Sequence, residues 1–241
     1  MSSSSPTDDT PHPLPTFGWT QVAVAATARL LARTLFSIEV QGRENIPAGE
    51  PCLLCANHTS HMDTFVLATA TVPTSHRLVF LGAHDYFSRF RWRRRLLHRM
   101  ICMVEFDRRG TVTAAMHNLR ALGACRDDQR IVVLFPEGTR SVSGQMGVFK
   151  PGAAVFAEKL GLRILPCRIE GTHAALPKGN WFPRLRPLRV IFGAPLSLPG
   201  APENETGAER NARRTAFMNQ LRDQVAQLGQ PANAPLPAFS A

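Results

Sequence analysis

Acidic residues are scarce in this chain of 241 residues: 18 Asp and Glu stand against 28 Lys and Arg, a net charge of +10. A surface so poor in carboxylate calls for an anionic partner, which leaves nucleic acid, an acidic membrane surface or a phosphorylated substrate. No uncharged apolar run is long enough to cross a bilayer. The Ser-rich start, with Asp8 and Asp9, does not read as a secretory leader, so none is expected. The cysteines (Cys52, Cys55, Cys102, Cys125 and Cys167) are odd in number and sit mostly inside apolar runs. That pattern excludes a disulfide framework and fits reduced core thiols in a cytosolic setting. No Gly-x-Ser-x-Gly elbow occurs, so a serine hydrolase working through an acyl-enzyme loses its main cue. Neither Gly-x-Gly-x-x-Gly nor Gly-Lys-Ser/Thr occurs, so nucleotide-binding folds lose theirs. Internal repeats are absent.

What is present fits one domain with a full core, given the length and an apolar fraction of 44%. Residues 1–16 are Ser, Pro, Thr and Asp and read as disordered. Residues 17–37 read as an amphipathic helix, with Val24, Ala28, Leu31 and Leu35 on one stripe and Gln21, Arg29 and Arg33 on another face. Such a helix suits a membrane interface and equally suits packing on the domain surface. From residue 38 to about residue 200, strand-like and helix-like segments alternate. Short apolar runs fall at 51–56, 77–82, 101–106, 131–135, 163–169 and 187–192, and helical patterns at 63–71, 84–99, 112–122 and 152–160. The alternation predicts an α/β domain with a parallel or mixed sheet flanked by helices. Residues 201–241 contribute a last helix at 206–228, with Phe217, Leu221, Val225 and Leu228 at helical spacing, then a loose Pro/Ala-rich tail. Arg89, Arg91, Arg93, Arg94, Arg95 and Arg99 crowd one segment interleaved with Trp92, Leu96 and Leu97. This suits an anionic leaflet and also suits a solvated helix face.

Two short motifs carry the chemistry, and both follow a predicted strand, where α/β folds build their sites. In Asn57-His58-Thr59-Ser60-His61-Met62-Asp63, an imidazole and a carboxylate stand five residues apart. A general base needs a group that titrates near neutrality and a partner that holds its second nitrogen. Five is the wrong spacing for one helix face, so the pair works only if His58 lies in the turn and Asp63 in the first helical turn. The same spacing also fits a capping histidine and an acid favoured by the helix dipole. His61 has no carboxylate at that offset and reads as a neighbour. A zinc site from Cys52, Cys55, His58 and His61 is excluded by the short separation of the two pairs and by strand geometry, which turns Cys52 and Cys55 to opposite faces. In Phe135-Pro136-Glu137-Gly138-Thr139-Arg140-Ser141, Pro136 ends the strand and Gly138 permits close backbone approach to a ligand. Arg140 can fork onto a phosphate, Thr139 can donate to one, and Glu137 can hold Arg140 or a substrate hydroxyl.

Together these motifs resemble the glycerolipid acyltransferase family, which includes lysophosphatidic acid and glycerol-3-phosphate acyltransferases. Its Asn-His-x-x-x-x-Asp motif is met by Asn57, His58 and Asp63, and its Phe-Pro-Glu-Gly-Thr-Arg-Ser motif by residues 135–141 without a change. Its second motif is met loosely by 103–108, ending in Arg108, with Glu105 as a departure, and its fourth by Ile164-Leu165-Pro166. The segment from Gly171 to Gly179 resembles a stretch in bacterial members. The resemblance covers residues 38–195 and implies a mixed sheet of roughly seven strands. It implies His58 and Asp63 as catalytic residues and Arg108, Glu137, Gly138, Thr139, Arg140 and Lys150 as acceptor-binding residues. Neither metal nor cofactor is implied. The reaction would move a fatty acyl chain from acyl-CoA or acyl carrier protein to a lysophospholipid hydroxyl, in the first instance that of 1-acyl-sn-glycerol-3-phosphate. Another lyso-lipid or glycerol-3-phosphate is the alternative acceptor. The expected partners are an anionic membrane and no nucleic acid, and the expected location is the cytoplasmic face of the inner membrane, peripheral or monotopic. Two rival readings are a non-catalytic basic membrane-binding module and a thioesterase in which water replaces the acceptor.

Overall fold

A computed structural model of the chain describes residues 26–27, 30, 34–72, 74–83, 102–106, 112–177, 179–180 and 182–230. The start read from sequence as disordered, most of the segment 17–37 expected to be helical, the basic segment at 89–99 and Arg108 therefore lie outside the described residues. Seven strands form one sheet: β1 (Ile38–Gln41), β2 (Cys52–Ala56), β3 (Leu78–Ala83), β4 (Met103–Phe106), β5 (Ile131–Leu134), β6 (Arg163–Glu170) and β7 (Leu188–Phe192). Their order is β1-β7-β6-β2-β5-β3-β4. The five strands from β6 to β4 run parallel, while β7 is antiparallel to β6 and β1 follows β7. The architecture is the α/β single domain with a mixed seven-stranded sheet that the resemblance implied.

Strand direction decides what meets the site. The parallel strands end where β1 and β7 begin, so the chain approaching β1 and the segment before β7 share that end with the tips of β2 and β5. Helix α5 (Gly207–Gln227) also finishes there: a side chain at Gly229 would lie 3.7 Å from Glu170 Oε1, at the tip of β6. This is the site end of the sheet.

Both faces of the sheet are covered, which is why β2 reads as an unbroken apolar run. Leu54 joins Val66 and Leu67 of α1 (Met62–Ala70) in one core. Leu53 joins Leu122 of α2 (Val112–Asp127), Ala154 of α3 (Gly152–Leu160) and Met218 of α5 in the other. Cys52 and Cys55 fall into different cores, as strand periodicity requires. Helix α5 lies beyond the 38–200 segment of the sequence reading, yet it buries Phe217, Met218, Leu221 and Val225 in the second core. It starts on a capping box: Glu209 N–H donates to Thr206 Oγ1 at 3.2 Å, and Thr206 N–H donates to Glu209 Oε2 at 2.8 Å.

Three details depart from the sequence expectation. Helix α2 runs to Asp127 instead of residue 122, because Gly123 does not end it and lies close to Leu160 of α3. The helix before β1 is left at Phe36, which turns into the first core while Leu35 stays exposed. A short helix, α4 (Thr172–Ala175), follows β6 and lies against the turn after β2.

Candidate active site

The turn from Asn57 to Ser60 is fastened on every side. At the end of β2, Asn57 extends the ladder with its side chain: Oδ1 accepts from Ile169 N–H at 2.8 Å, and Nδ2 donates to the Ile169 carbonyl at 2.9 Å. The chain can then leave the sheet without orphaning β6 backbone groups. His58 follows, with its backbone N–H donating to Glu137 Oε1 at 2.8 Å and its carbonyl accepting from Ser141 N–H at 2.9 Å. Its ring stacks on Phe135 at 4.0 Å between centroids and 15° between planes. The 135–141 loop thus holds His58 by two bonds to its backbone and one stacking contact on its ring.

Asp63 sits in the first turn of α1 and is completely buried. Its Oδ2 accepts from His58 Nδ1 at 2.8 Å, Thr59 N–H at 2.7 Å and Ser60 N–H at 2.9 Å. The turn before the helix closes the five-residue gap. A carboxylate cannot donate, so Nδ1 carries the hydrogen, and in the neutral ring the lone pair is on Nε2. The His58 side chain is 19% exposed, so the ring is partly open to the surface. Asp63 Oδ1 is buried with no hydrogen-bond partner among the described residues.

Helix α4 buttresses the turn from the other side. Thr59 Oγ1 and Thr172 Oγ1 are 3.0 Å apart, and Ser60 Oγ donates to the Leu176 carbonyl at 2.8 Å. Gly171 enters α4 at φ +85, where a Cβ would stand 2.2 Å from the Pro187 carbonyl oxygen, so only glycine fits. These contacts span more than a hundred residues and left no local trace in the sequence. The resemblance marked the 171–179 stretch without saying what it touches.

Glu137 holds the backbone around the turn. It is 6% exposed, and its second oxygen accepts from Gly147 N–H at 2.9 Å. Among the described residues its partners are backbone groups, not Arg140. Gly147 is held in turn by Arg222 of α5, whose Nε donates to the Gly147 carbonyl at 3.0 Å. A line of bonds therefore runs from Arg222 through Gly147 and Glu137 to the backbone of His58. Sequence reasoning missed Arg222, and nothing beyond its position beside Leu221 on α5 could have pointed to it.

The polar rim comes from the rest of the loop. Gly138 adopts φ +72, and a Cβ there would stand 2.9 Å from Lys150 Nζ, so the lysine side chain lies over the glycine. Lys150 and Thr139 are exposed and Arg140 is half-buried. Neither cation has an ion-pair partner among the described residues. His61 is exposed at the start of α1. Arg108 lies outside the described residues, so the structure brings seven of the eight expected site residues to one end of the sheet. A base with a fixed tautomer beside two unpaired cations can deprotonate a hydroxyl whose carrier bears a phosphate.

Residues 37–170 match the Acyltransferase family, and this chain belongs to it. It is an acyltransferase. Among its relatives, a 1-acyl-sn-glycerol-3-phosphate acyltransferase of Pseudomonas aeruginosa is 29% identical over 220 residues, 91% of this chain and 81% of that protein. A protein of Chlamydomonas reinhardtii described by the same activity is 31% identical over 196 residues, which cover 77% of this chain and 53% of the algal protein. This chain thus spans about half of the algal relative's length. The crystal structure of the 1-acyl-sn-glycerophosphate acyltransferase PlsC of Thermotoga maritima shares the fold, with TM-score 0.57 and 24% identity over 88% of this chain and 82% of that one.

Proposed function

We propose that this chain acylates 1-acyl-sn-glycerol-3-phosphate, with acyl-CoA or acyl carrier protein as donor, to give phosphatidic acid. The observation that carries the reading is the His58 Nδ1 to Asp63 Oδ2 bond of 2.8 Å in a turn locked to the loop that bears Arg140. His58 Nε2 takes the proton of the acceptor hydroxyl as its oxygen attacks the thioester carbonyl. Asp63 holds the ring and stabilises the imidazolium that forms. The tetrahedral intermediate collapses with loss of the thiolate, which receives the proton from His58. A C–O bond replaces a C–S bond, with no covalent enzyme intermediate and no cofactor.

Arg140 and Lys150 receive the acceptor phosphate, Thr139 donates to it, and Gly138 keeps the backbone close. Arg108 is a third cation for it, assigned through the family resemblance. Glu137 serves the acceptor indirectly by holding the backbone of His58. The enzyme works at the cytoplasmic face of the inner membrane, where its acceptor lies.

The test is mass spectrometry of lipid products. Wild-type and His58→Ala protein receive oleoyl-CoA or oleoyl carrier protein and a panel of lysophospholipids and glycerol-3-phosphate on anionic vesicles. Phosphatidic acid from wild type alone is the expected result. A different diacyl lipid would reassign the acceptor. Free fatty acid without any acceptor would make the chain a thioesterase. No product from any pairing, with the protein folded and vesicle-bound, would favour a binding module.

A further inference from the structure

Large apolar side chains stand exposed at the site end of the sheet. Phe182 is 87% exposed and Leu185 66%, and Leu35, Val142 and Val148 are exposed as well. Leu35 precedes β1, and Val142 and Val148 follow Ser141 in the loop bonded to His58. Phe182 and Leu185 lie between α4 and β7. Their segment is fixed at that end, because Arg184 N–H donates to the Ala175 carbonyl at 2.7 Å and Leu188 N–H to the Ser37 carbonyl at 2.9 Å.

The charge of this segment has one sign. Arg184 and Arg186 alternate with Phe182 and Leu185, and both arginines are exposed. No Asp or Glu occurs from Gly171 to Pro202. The apolar side chains are therefore flanked by cations with no acid nearby in sequence to neutralise them. A phenyl ring this exposed stands clear of its own protein surface. Single protruding apolar side chains beside arginines match an interface of acyl chains under anionic headgroups.

We propose that residues 182–186 contact an anionic lipid leaflet, with Phe182 and Leu185 entering the interface and Arg184 and Arg186 meeting lipid phosphates. The site end of the sheet then faces the bilayer, and a lipid hydroxyl reaches His58 without leaving the leaflet. This use of the surface rests on the acceptor proposed above being a membrane lipid.

The experiment attaches an environment-sensitive fluorophore to Phe182→Cys in the full chain. All five native cysteines are buried, so the label goes to the new thiol. Vesicles of phosphatidylcholine, with and without phosphatidylglycerol, are added. A blue shift with brightening on the anionic vesicles, reversed by high salt, is the expected result. In the same labelled chain, Arg184→Gln with Arg186→Gln lowers vesicle affinity on the order of tenfold, with an unchanged melting curve. Unchanged emission while the protein sediments with the vesicles would overturn the proposal. So would a response to acyl carrier protein in place of vesicles, which would make the segment a dock for that acidic protein. Transfer from a short-chain acyl-CoA to a water-soluble short-chain acceptor, measured on the unlabelled chain, separates the two readings. Transfer without any vesicle response sinks only the surface, and a vesicle response without transfer to any acceptor sinks only the reaction.

Discussion

Asp63 gathers three donors on one oxygen and leaves the other, equally buried, with none among the described residues. Replacing Asp63 with Asn keeps an oxygen for Thr59, Ser60 and His58 but removes the charge that steadies the imidazolium, and it places an amide NH₂ where no acceptor waits. Turnover of Asp63→Asn should fall roughly 10²- to 10⁴-fold. Stability should fall by about 1–3 kcal/mol for the unsatisfied buried donor. Steady-state kinetics beside thermal melts check both; near-normal turnover would remove Asp63 from the mechanism. The pair could be read in the sequence because both residues lie in one turn and its helix. The unpartnered oxygen could not, since it depends on what the fold packs around α1.

At the scale of elements, α5 governs the site from outside the strands that carry it. Arg222 supports Gly147, and Gly147 shares Glu137 with His58. Arg222→Ala should lower kcat roughly tenfold while the acceptor KM stays near its wild-type value, and Arg222→Lys should restore part of the loss. A change confined to KM, or none, would detach α5 from catalysis. The other end of α5 is tied by charge. Glu158 of α3 pairs with Arg213 and Arg214, and those hydrogen bonds hold its carboxyl below the usual carboxylate range. A depressed carboxyl stabilises the fold above its unfolded value near 4.3 and loses that contribution as pH falls through the folded value. The Tm gap between wild type and Glu158→Gln should therefore persist at neutral pH and close in acid. A gap independent of pH would rule out the ion pair as its source. Strands β2, β5 and β7 were legible as apolar runs because the sheet buries both their faces. Strand β1 was not among those runs: Ile38, Glu39, Val40 and Gln41 alternate on a short edge, which only the partner β7 makes a strand. Asn57 showed its identity but not its bond to Ile169, which joins residues 112 apart.

For the molecule as a whole, the cysteines report on integrity. All five are buried and none forms a disulfide, and burial pushes the Cys52 and Cys125 thiols up to about 12. They are spread over both cores, so no local opening of one loop reaches them all. Native protein should react with a disulfide reagent at pH 8 only at the rate of global unfolding, with all five thiols labelled together. Fast labelling of one thiol would reveal a soft spot in its core. The reversed pair β1 and β7 has a practical consequence as well. Because the chain reaches β1 and leaves α5 at the same end as His58, a tag or surface tether fused directly before β1 or directly after Gln230 crowds the rim where substrate enters. A handle placed in the loop between Leu198 and Glu205, beyond the far end of β7, would let the immobilised protein present its working face to a supported bilayer.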